Sequence, residues 1–377
     1  MHLTARQLNR ATLARQMLLR REPVSVVDAV KRIVALQAQE AASPYLALWN
    51  RIDGFDPADL DAAFADQAVV KATLMRITLH AVAATDYPIL HHAMQTTLRA
   101  ARLNDRRFTG TGLNAAEAEA LVPEVRAFTA RPRTNAEVEA WLDERLGPPS
   151  KPYVWWALRQ YSSFIHAPTG GPWSFGPRPS YRAAPEPGRS GDAAVAMAHL
   201  VRRYLEAFGP ATLQDIAQFG LLYAPKVREG VAELGDALVT LAGPGGVRLL
   251  DVAGGVVPDE DSPAPPRLLP MWDSTLLAYK DRSRIIPPEY RRIVIQGNGD
   301  VLPTLLVDGY VAGVWRPLDG GIEATAFHRL GDDVWRGLAD EAASLIDFLA
   351  DRDPTVYRRY ARWWSGLPGA EVRVLRG

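Results

Sequence analysis

The sequence contains no cysteine, which removes disulfides, thiolate zinc sites and cysteine nucleophiles from the chemistry open to it. Lysine is scarce: Lys31, Lys71, Lys151, Lys226 and Lys280 stand against 38 arginines. None of the five lies in a recognised motif beside an acid partner, so a lysine Schiff base is not expected. The arginine bias fits a GC-rich genome, although arginine is also the better fork for phosphate. No apolar run approaches the ~18 residues of a membrane span, and Met1-His2-Leu3-Thr4 leads into an amphipathic pattern rather than a short apolar plug. A cytoplasmic protein is therefore expected. Net charge is absent too, since 43 basic residues balance 43 acidic ones. Taken whole, that balance argues against a partner as acidic as a nucleic acid.

The balance is a sum of blocks. Segments 1–50, 71–110, 151–190 and 357–377 each carry a net charge of +4, separated by acidic stretches. A fold that gathers the positive blocks would present a basic face on a neutral protein. Metal and nucleotide chemistry find little support. The seven histidines include no His-Glu-x-x-His pair, and Gln296-Gly297-Asn298-Gly299-Asp300 lacks both the Walker lysine and dinucleotide-type glycine spacing. No Gly-x-Ser-x-Gly elbow is present. Neither a metal nor a cofactor is expected.

With 377 residues the chain is long enough for two or three domains. Thr4 and Gln7 form a capping-box pattern ahead of a helix to about Arg20. Ser25 starts a second helix, and Ser43-Pro44 caps a third that runs through Trp49. Val69 to Val82 alternates, with Met75, Ile77 and Leu79 on one side and Arg76, Thr78 and His80 on the other. Three short helices followed by a strand ribbon is the order of a winged helix. The order recurs twice, with Gly- and Pro-rich turns at Gly170-Gly171 and Gly243-Pro244-Gly245-Gly246. Beyond the linker 255–267, strands are expected at Arg292–Ile295, Thr304–Val307, Tyr310–Trp315 and Ile322–His328, then a helix at Asp333–Leu349. The reading is an α+β protein with units at 1–110, 111–190 and 191–256 and a β-rich module at 257–377. Tandem units of this kind suit DNA, but single winged helices also serve as protein-interaction modules.

Between the second and third helices lies Leu36-Gln37-Ala38-Gln39-Glu40. In an extended connection Gln37 and Gln39 point the same way, whereas on a continued helix they would diverge by about 200°. Restarting a helix at Ser43-Pro44 favours the extended case. Two parallel amides offer donors and carbonyl acceptors to one point. The plainer reading is a pair of partly buried glutamines that satisfy helix ends.

Gln37-Ala38-Gln39 stands in order with four further segments: Arg76-Ile77-Thr78-Leu79-His80; Gly209 to Ala217; Leu269 to Asp273 with Asp281-Arg282; and Leu306 to Gly309 with Gly313 to Arg316. Together they resemble the winged-helix DNA glycosylases of the AlkZ/YcaQ type across essentially the whole chain. The resemblance implies tandem winged helices and a C-terminal β module around a basic concave cleft for duplex DNA. It further implies a glutamine-hydrophobic-glutamine catalytic motif, matched by Gln37 and Gln39, and a β-hairpin that reaches into the cleft. The YcaQ branch is expected to carry Asp at the second motif position; Gln39 there points to the AlkZ branch. That branch is associated with bulky N7-guanine adducts and with interstrand crosslinks made by an antibiotic that its producer must survive.

An amide cannot deprotonate water, so such a site suits a base that leaves easily: N7-alkylation makes the purine cationic, and carbonyl dipoles can then face the developing charge at C1′. The expectation is a monofunctional, monomeric DNA glycosylase acting on alkylated or crosslinked duplex DNA. The alternatives are a non-catalytic winged-helix DNA-binding regulator and a protein-interaction scaffold. Candidate DNA contacts are Arg76, Thr78 and His80 on the first ribbon and Arg282 and Arg284 near a strand, with an ion pair to Asp273 or Asp281 as the competing role. Asp308, Gly309 and Tyr310 at the tightest hairpin turn, and Arg316 beyond it, complete the set. The Gly170-Gly171 loop competes with that turn as the DNA-touching hairpin. His80 reads better as a structural histidine than as a base.

Overall fold

The computed structural model describes residues 2–147, 152–185 and 192–377; Lys151 and the expected boundary at 190–191 lie outside them. It is an α+β structure. The capping box at Thr4 forms, with reciprocal bonds of 3.0 Å to Gln7, and starts helix α1 (Ala5–Arg15). α1 ends a turn earlier than its apolar periodicity predicts, because Met17 takes a left-handed conformation with φ 54°. Ser25 caps α2 (Val26–Ile33), which stops where Val34 turns to φ 70°. The chain then runs extended as strand β1 (Leu36–Gln37) before α3 (Ser43–Trp49). Ser43 is the first helical residue rather than the cap, and its hydroxyl lies 2.9 Å from the Tyr357 hydroxyl.

The stretch Val69–Val82 is a hairpin of β2 (Val69–Thr73) and β3 (Leu79–Ala83), not one continuous alternating strand. Between them the chain reverses through Met75–Ile77, with Arg76 and Ile77 at φ 53° and 59°. Alternation persists across the turn, so a period-two pattern gives no sign of it. This displaces Arg76 from the strand face on which the sequence puts it beside His80.

The hairpin continues into a six-stranded antiparallel sheet in the order β1-β3-β2-β5-β6-β4, where β4 is Arg133–Thr134, β5 Phe164–Ala167 and β6 Ser180–Ala183. Strands from either side of residue 110 therefore share one sheet, joined where Lys71 pairs with His166. Alternation along β2 and β3 divides two cores. Leu36, Val69 and Ala81 face a core shared with the C-terminal module, while Val70, Ala72 and Val82 face the helical core of the middle of the chain. Gln37 and His80, paired across β1 and β3, project on the second side.

Farther along, helices Ala193–Phe208, Leu213–Gly220 and Ala224–Leu234 precede the two-stranded β7 (Leu238–Ala242) and β8 (Arg248–Val252), as the periodicity predicts. The C-terminal module is a five-stranded antiparallel sheet, β13-β12-β11-β10-β9, formed by Arg267–Leu269 (β9), Thr304–Val307 (β10), Tyr310–Leu318 (β11), Gly321–Ala326 (β12) and Glu371–Leu375 (β13). The helix Asp332–Ala350 contributes to the core beneath it. The strand expected at Arg292–Ile295 is instead a short helix, Arg291–Val294, whose Val294 is fully buried.

Arginine–carboxylate pairs fasten these parts together. Arg15 on α1 meets Asp251 on β8 through two bonds of 2.7 Å, and Arg51 meets Asp273 at 2.8 and 2.9 Å, with both partners buried in each pair. Arg6 and Arg10 hold Asp308, Arg21 holds Glu341 and Arg32 holds Glu22. Much of the positive charge of residues 1–50 is thus paired with carboxylates, in the interior at Arg15 and nearer the surface at Arg6 and Arg32.

Burial alone would raise the Asp273 carboxyl, but the Arg51 guanidinium and the Thr275 hydroxyl and amide outweigh it and hold the group below the usual carboxylate range. Its stabilising contribution is complete above the unfolded value of ~3.9 and is lost as the pH falls through the lower folded value. Asp273→Ala strands a buried guanidinium and is expected to lower the urea-measured unfolding free energy by about 3–5 kcal/mol. The paired replacement Arg51→Met with Asp273→Leu should lose much less.

Candidate functional site

Gln37 is placed by strand pairing. Leu36 lies opposite Ala81 and Gln37 opposite His80, and the Ala38 amide continues the ladder by donating to the Leu79 carbonyl at 2.7 Å. The connection is extended through Gln37 and bends at Gln39 and Glu40. The two amides nevertheless differ. Gln37 is 5% exposed, whereas Gln39 lies at the surface, its carbonyl accepting from the Leu79 amide at a long 3.4 Å.

The hairpin tip supplies the partner of Gln37. One terminal nitrogen of Arg76 donates to Gln37 Oε1 at 2.7 Å and lies 3.3 Å from His80 Nε2; the other donates to the Phe219 carbonyl at 3.0 Å. A guanidinium has donors only, so the Gln37 oxygen must be the atom that faces it. The same logic fixes His80. Its Nδ1 lies 3.0 Å from the Thr78 carbonyl and carries the proton, which leaves Nε2 to accept from Arg76. One lone pair of the Gln37 carbonyl is thus already occupied, and the amide nitrogen and the second lone pair are what it can offer to a substrate.

Burial, followed by the Arg76 charge, drives His80 down to about 3 against the opposing pull of the Thr78 carbonyl. It is neutral throughout the physiological range and is no proton acceptor there. Burial and then the neighbouring Arg282 charge lower Arg76 to about 10, so Arg76 stays protonated at neutral pH. Thr78 turns its hydroxyl to the Met75 carbonyl at 3.1 Å and supports the tip. Of the first-ribbon candidates, Arg76 and His80 converge on Gln37, while Thr78 acts inside the turn.

Other expected contacts are dispersed. Arg284 donates to the Pro210 carbonyl at 2.9 Å and stacks 4.1 Å over Tyr279. Arg282 pairs with neither Asp273, which is held by Arg51, nor Asp281, which caps the Ser283 amide at 3.0 Å. The turn at Asp308-Gly309 is docked on α1: Arg6 and Arg10 grip Asp308, and Asn9 donates to the Gly309 carbonyl at 2.8 Å. A Cβ at Gly309 would come within 2.4 Å of Asn9 Oδ1, so this turn is packed rather than free. Tyr310 beside it is partly buried. Arg316 pairs with Glu323 at 2.8 Å.

Three neighbours escape the sequence reading. The Phe219 carbonyl is a main-chain atom that no residue pattern marks. Glu40, next to Gln39, is held by Arg359 and by the Tyr360 hydroxyl, which donates at 3.2 Å from more than 300 residues away. Lys71 is buried on the opposite face of the sheet, 4.4 Å over Phe175, and burial pushes its amine down to about 8.

Comparison with known proteins agrees in sequence and in fold. Residues 30–348 match the model of a family described as DNA glycosylase AlkZ-like. A protein of Streptomyces sahachiroi named interstrand DNA cross-link repair glycosylase is 25% identical over 346 residues, covering 85% of this chain and 90% of that protein. The solved structure of the Streptomyces sahachiroi DNA glycosylase AlkZ superposes with a TM-score of 0.77 at 23% identity, over 92% of this chain and 96% of that one.

The neutral His80 has a measurable consequence. In the unfolded chain its imidazole takes up a proton near ~6.5, whereas the folded protein resists protonation down to about 3. Stability from this residue is complete above the unfolded value and declines as the pH falls between the two. In His80→Gln the decline of unfolding free energy over that interval should be shallower than in the wild type, as read from denaturation curves at successive pH values.

Proposed function

The chain belongs to the AlkZ-like DNA glycosylase family and is a DNA glycosylase, and from that premise we propose that it hydrolyses the N-glycosidic bond of bulky N7-alkylpurines, including crosslinked guanines, at Gln37 and Gln39. The supporting observation is the Gln37 amide, oriented at a sheet edge by a charged donor and accompanied by a surface glutamine two residues on.

The chemistry follows from neutral amides. N7-alkylation gives the purine a positive charge, so when the bond from C1′ to the base breaks, its electron pair neutralises the leaving base and no general acid is needed. Water adds to the oxocarbenium-like C1′ and loses its proton to solvent, leaving an abasic sugar. Gln37 and Gln39 contribute position and dipoles rather than proton transfer. A normal purine leaves as an anion and gains little from such a site.

A crosslinked base cannot swing into a deep pocket as ordinary base flipping requires. Amides at a sheet edge, one of them at the surface, suit a lesion that stays near the duplex. In this reading the helix–strand units at 1–110, 111–190 and 191–256 act as tandem winged helices about a DNA cleft, the module at 257–377 completes it, and the enzyme works in the cytoplasm as a monomer without a cofactor. The adducts would be those of a DNA-alkylating antibiotic, with self-resistance as the role.

Incubation with a duplex carrying one N7-alkylguanine should give alkali-labile abasic sites, and a crosslinked duplex should separate into single strands on a denaturing gel. Gln37→Ala is expected to slow excision by about 10²–10³-fold, and the double variant with Gln39→Ala should remove it. Wild-type rates from that double variant, or excision of unmodified guanine, would refute the assignment.

A further inference from the structure

The helix Leu213–Gly220 ends beside the hairpin tip. Its Phe219 carbonyl and the Gln37 carbonyl accept from the two terminal nitrogens of Arg76, at 3.0 and 2.7 Å, so two hydrogen bonds and the width of one guanidinium separate them. A cavity of about 700 Å³ opens at this junction, within the range of ~300–1,000 Å³ typical of sites that take small organic groups. Ile77, next to Arg76, lines it from the hairpin. Ala217 and Leu221 line it from the end of the helix, and Ala100 and Ala101 from the helix Tyr87–Leu103. The Thr97 hydroxyl of that second helix donates to the Leu221 carbonyl at 3.3 Å and ties the two walls together.

The lining suits an apolar guest. Alanines on two facing helices leave space where larger side chains would fill it. Leu221 and Tyr223 also line the cavity, and they are 44% and 54% exposed. Leu221 takes a left-handed backbone, φ 55°, at a helix end where glycine is the usual residue. Both the conformation and the bare apolar surface are unfavourable in the free protein, and an apolar group seated on Leu221 and Tyr223 recovers the second. The Tyr223 ring adds a flat face for stacking. Among the described residues no carboxylate lines the cavity, and its two charged residues, Arg228 and Lys280, are both cations. A neutral guest is admitted and a cationic one is opposed.

The chemistry assigned to Gln37 identifies that guest. Guanine N7 lies on the major-groove edge of the base, so a substituent there projects outward and does not fold back on the glycosidic bond. A purine whose C1′ lies at the glutamines therefore carries its substituent past the catalytic groups, and this cavity is the space that Arg76 and Ile77 place next to them. A methyl group would fill almost none of it. We propose that the cavity is an adduct subsite that takes an uncharged aryl or large alkyl substituent on N7 of the damaged guanine, with Leu221 and Tyr223 against the substituent and Ala101 and Ala217 giving it depth. The enzyme thereby selects bulky apolar adducts over methyl groups and over cationic chains. This inference rests on the assignment of Gln37 and Gln39 to the excision of N7-alkylpurines.

The test uses the full-length protein and duplexes that differ only in the N7 group of one guanine: methyl, naphthylmethyl, or an ammonioalkyl chain of similar length. Each kcat/KM is divided by the spontaneous release rate of the same base, which removes differences in leaving ability. The wild type is expected to prefer naphthylmethyl to methyl by about tenfold or more, the scale on which an apolar pocket discriminates added carbon, and to show no preference for the cationic chain. Ala101→Trp fills the cavity and should bring the naphthylmethyl-to-methyl ratio close to one. Tyr223→Ala should lower the same ratio, while Tyr223→Phe, which keeps the ring, should retain it. Tyr223 is exposed, so this pair decides the matter if Ala101→Trp does not fold. The subsite is refuted if the wild type shows no preference, if the cationic chain gains as much as the naphthylmethyl group, or if a folded Ala101→Trp or Tyr223→Ala leaves the ratio unchanged. Equal losses on both duplexes, as expected if the cavity holds an undamaged base, belong to that last outcome. If the wild type excises neither adduct, the assignment to N7-alkylpurines fails instead, and the ratio of Kd values for the same two duplexes still decides the subsite.

Discussion

The guanidinium of Arg76 ties together three segments that the sequence keeps far apart. It meets the Gln37 carbonyl on β1, His80 on β3 and the Phe219 carbonyl at the end of the helix Leu213–Gly220. Because it can only donate, each partner is forced to present an acceptor. That one restriction sets the orientation of the Gln37 amide and the tautomer of His80, and it joins the β2–β3 hairpin to a helix some 140 positions later. The left-handed backbone at Arg76 and Ile77 is the local condition for it, since the tip must reverse within a few residues to aim the side chain back along its own hairpin.

The sheet carries the rest. Its two faces belong to different cores, so β2 and β3 are confined on both sides and their register is strongly specified. A slip of one residue between β1 and β3 would send Gln37 into the core occupied by Leu36 and Ala81. The buried pairs Arg15–Asp251 and Arg51–Asp273 brace the same frame from outside the sheet, and removing one partner of either would strand a buried charge. Arginine serves two purposes here: most of those in the first block are locked into ion pairs, while Arg76 spends its donors on the Gln37 and Phe219 carbonyls.

Much of this was legible in the chain. The capping box at Thr4 and the N-cap at Ser25 identify helices through local hydrogen bonds, and the extended connection at Gln37 follows from the restart at Ser43-Pro44. The hairpin within Val69–Val82 was not legible, because alternation continues across its turn and nothing in Arg76-Ile77 advertises a left-handed backbone. Arg292–Ile295 misled for a related reason: a β-branched run reports burial, and burial there is achieved by a short helix. The hairpin turn at Asp308-Gly309 formed as its residues indicate, yet α1 covers it through Asn9 and Arg10.

Taken alone, the sequence determined the chemistry available to this protein: no thiols, few amines, and two glutamines in an extended connector, which together favour positioning over proton transfer. It also determined most helices, since caps and periodicity are local. Tertiary structure decided which of those groups are free to act. Whether an arginine is an internal brace or an open anion site depends on which carboxylates lie within a few ångströms of it, and those arrive from segments hundreds of residues away. The net charge of zero is the clearest case: the count is fixed by composition, but only folding pairs Arg15 with Asp251 and Arg51 with Asp273.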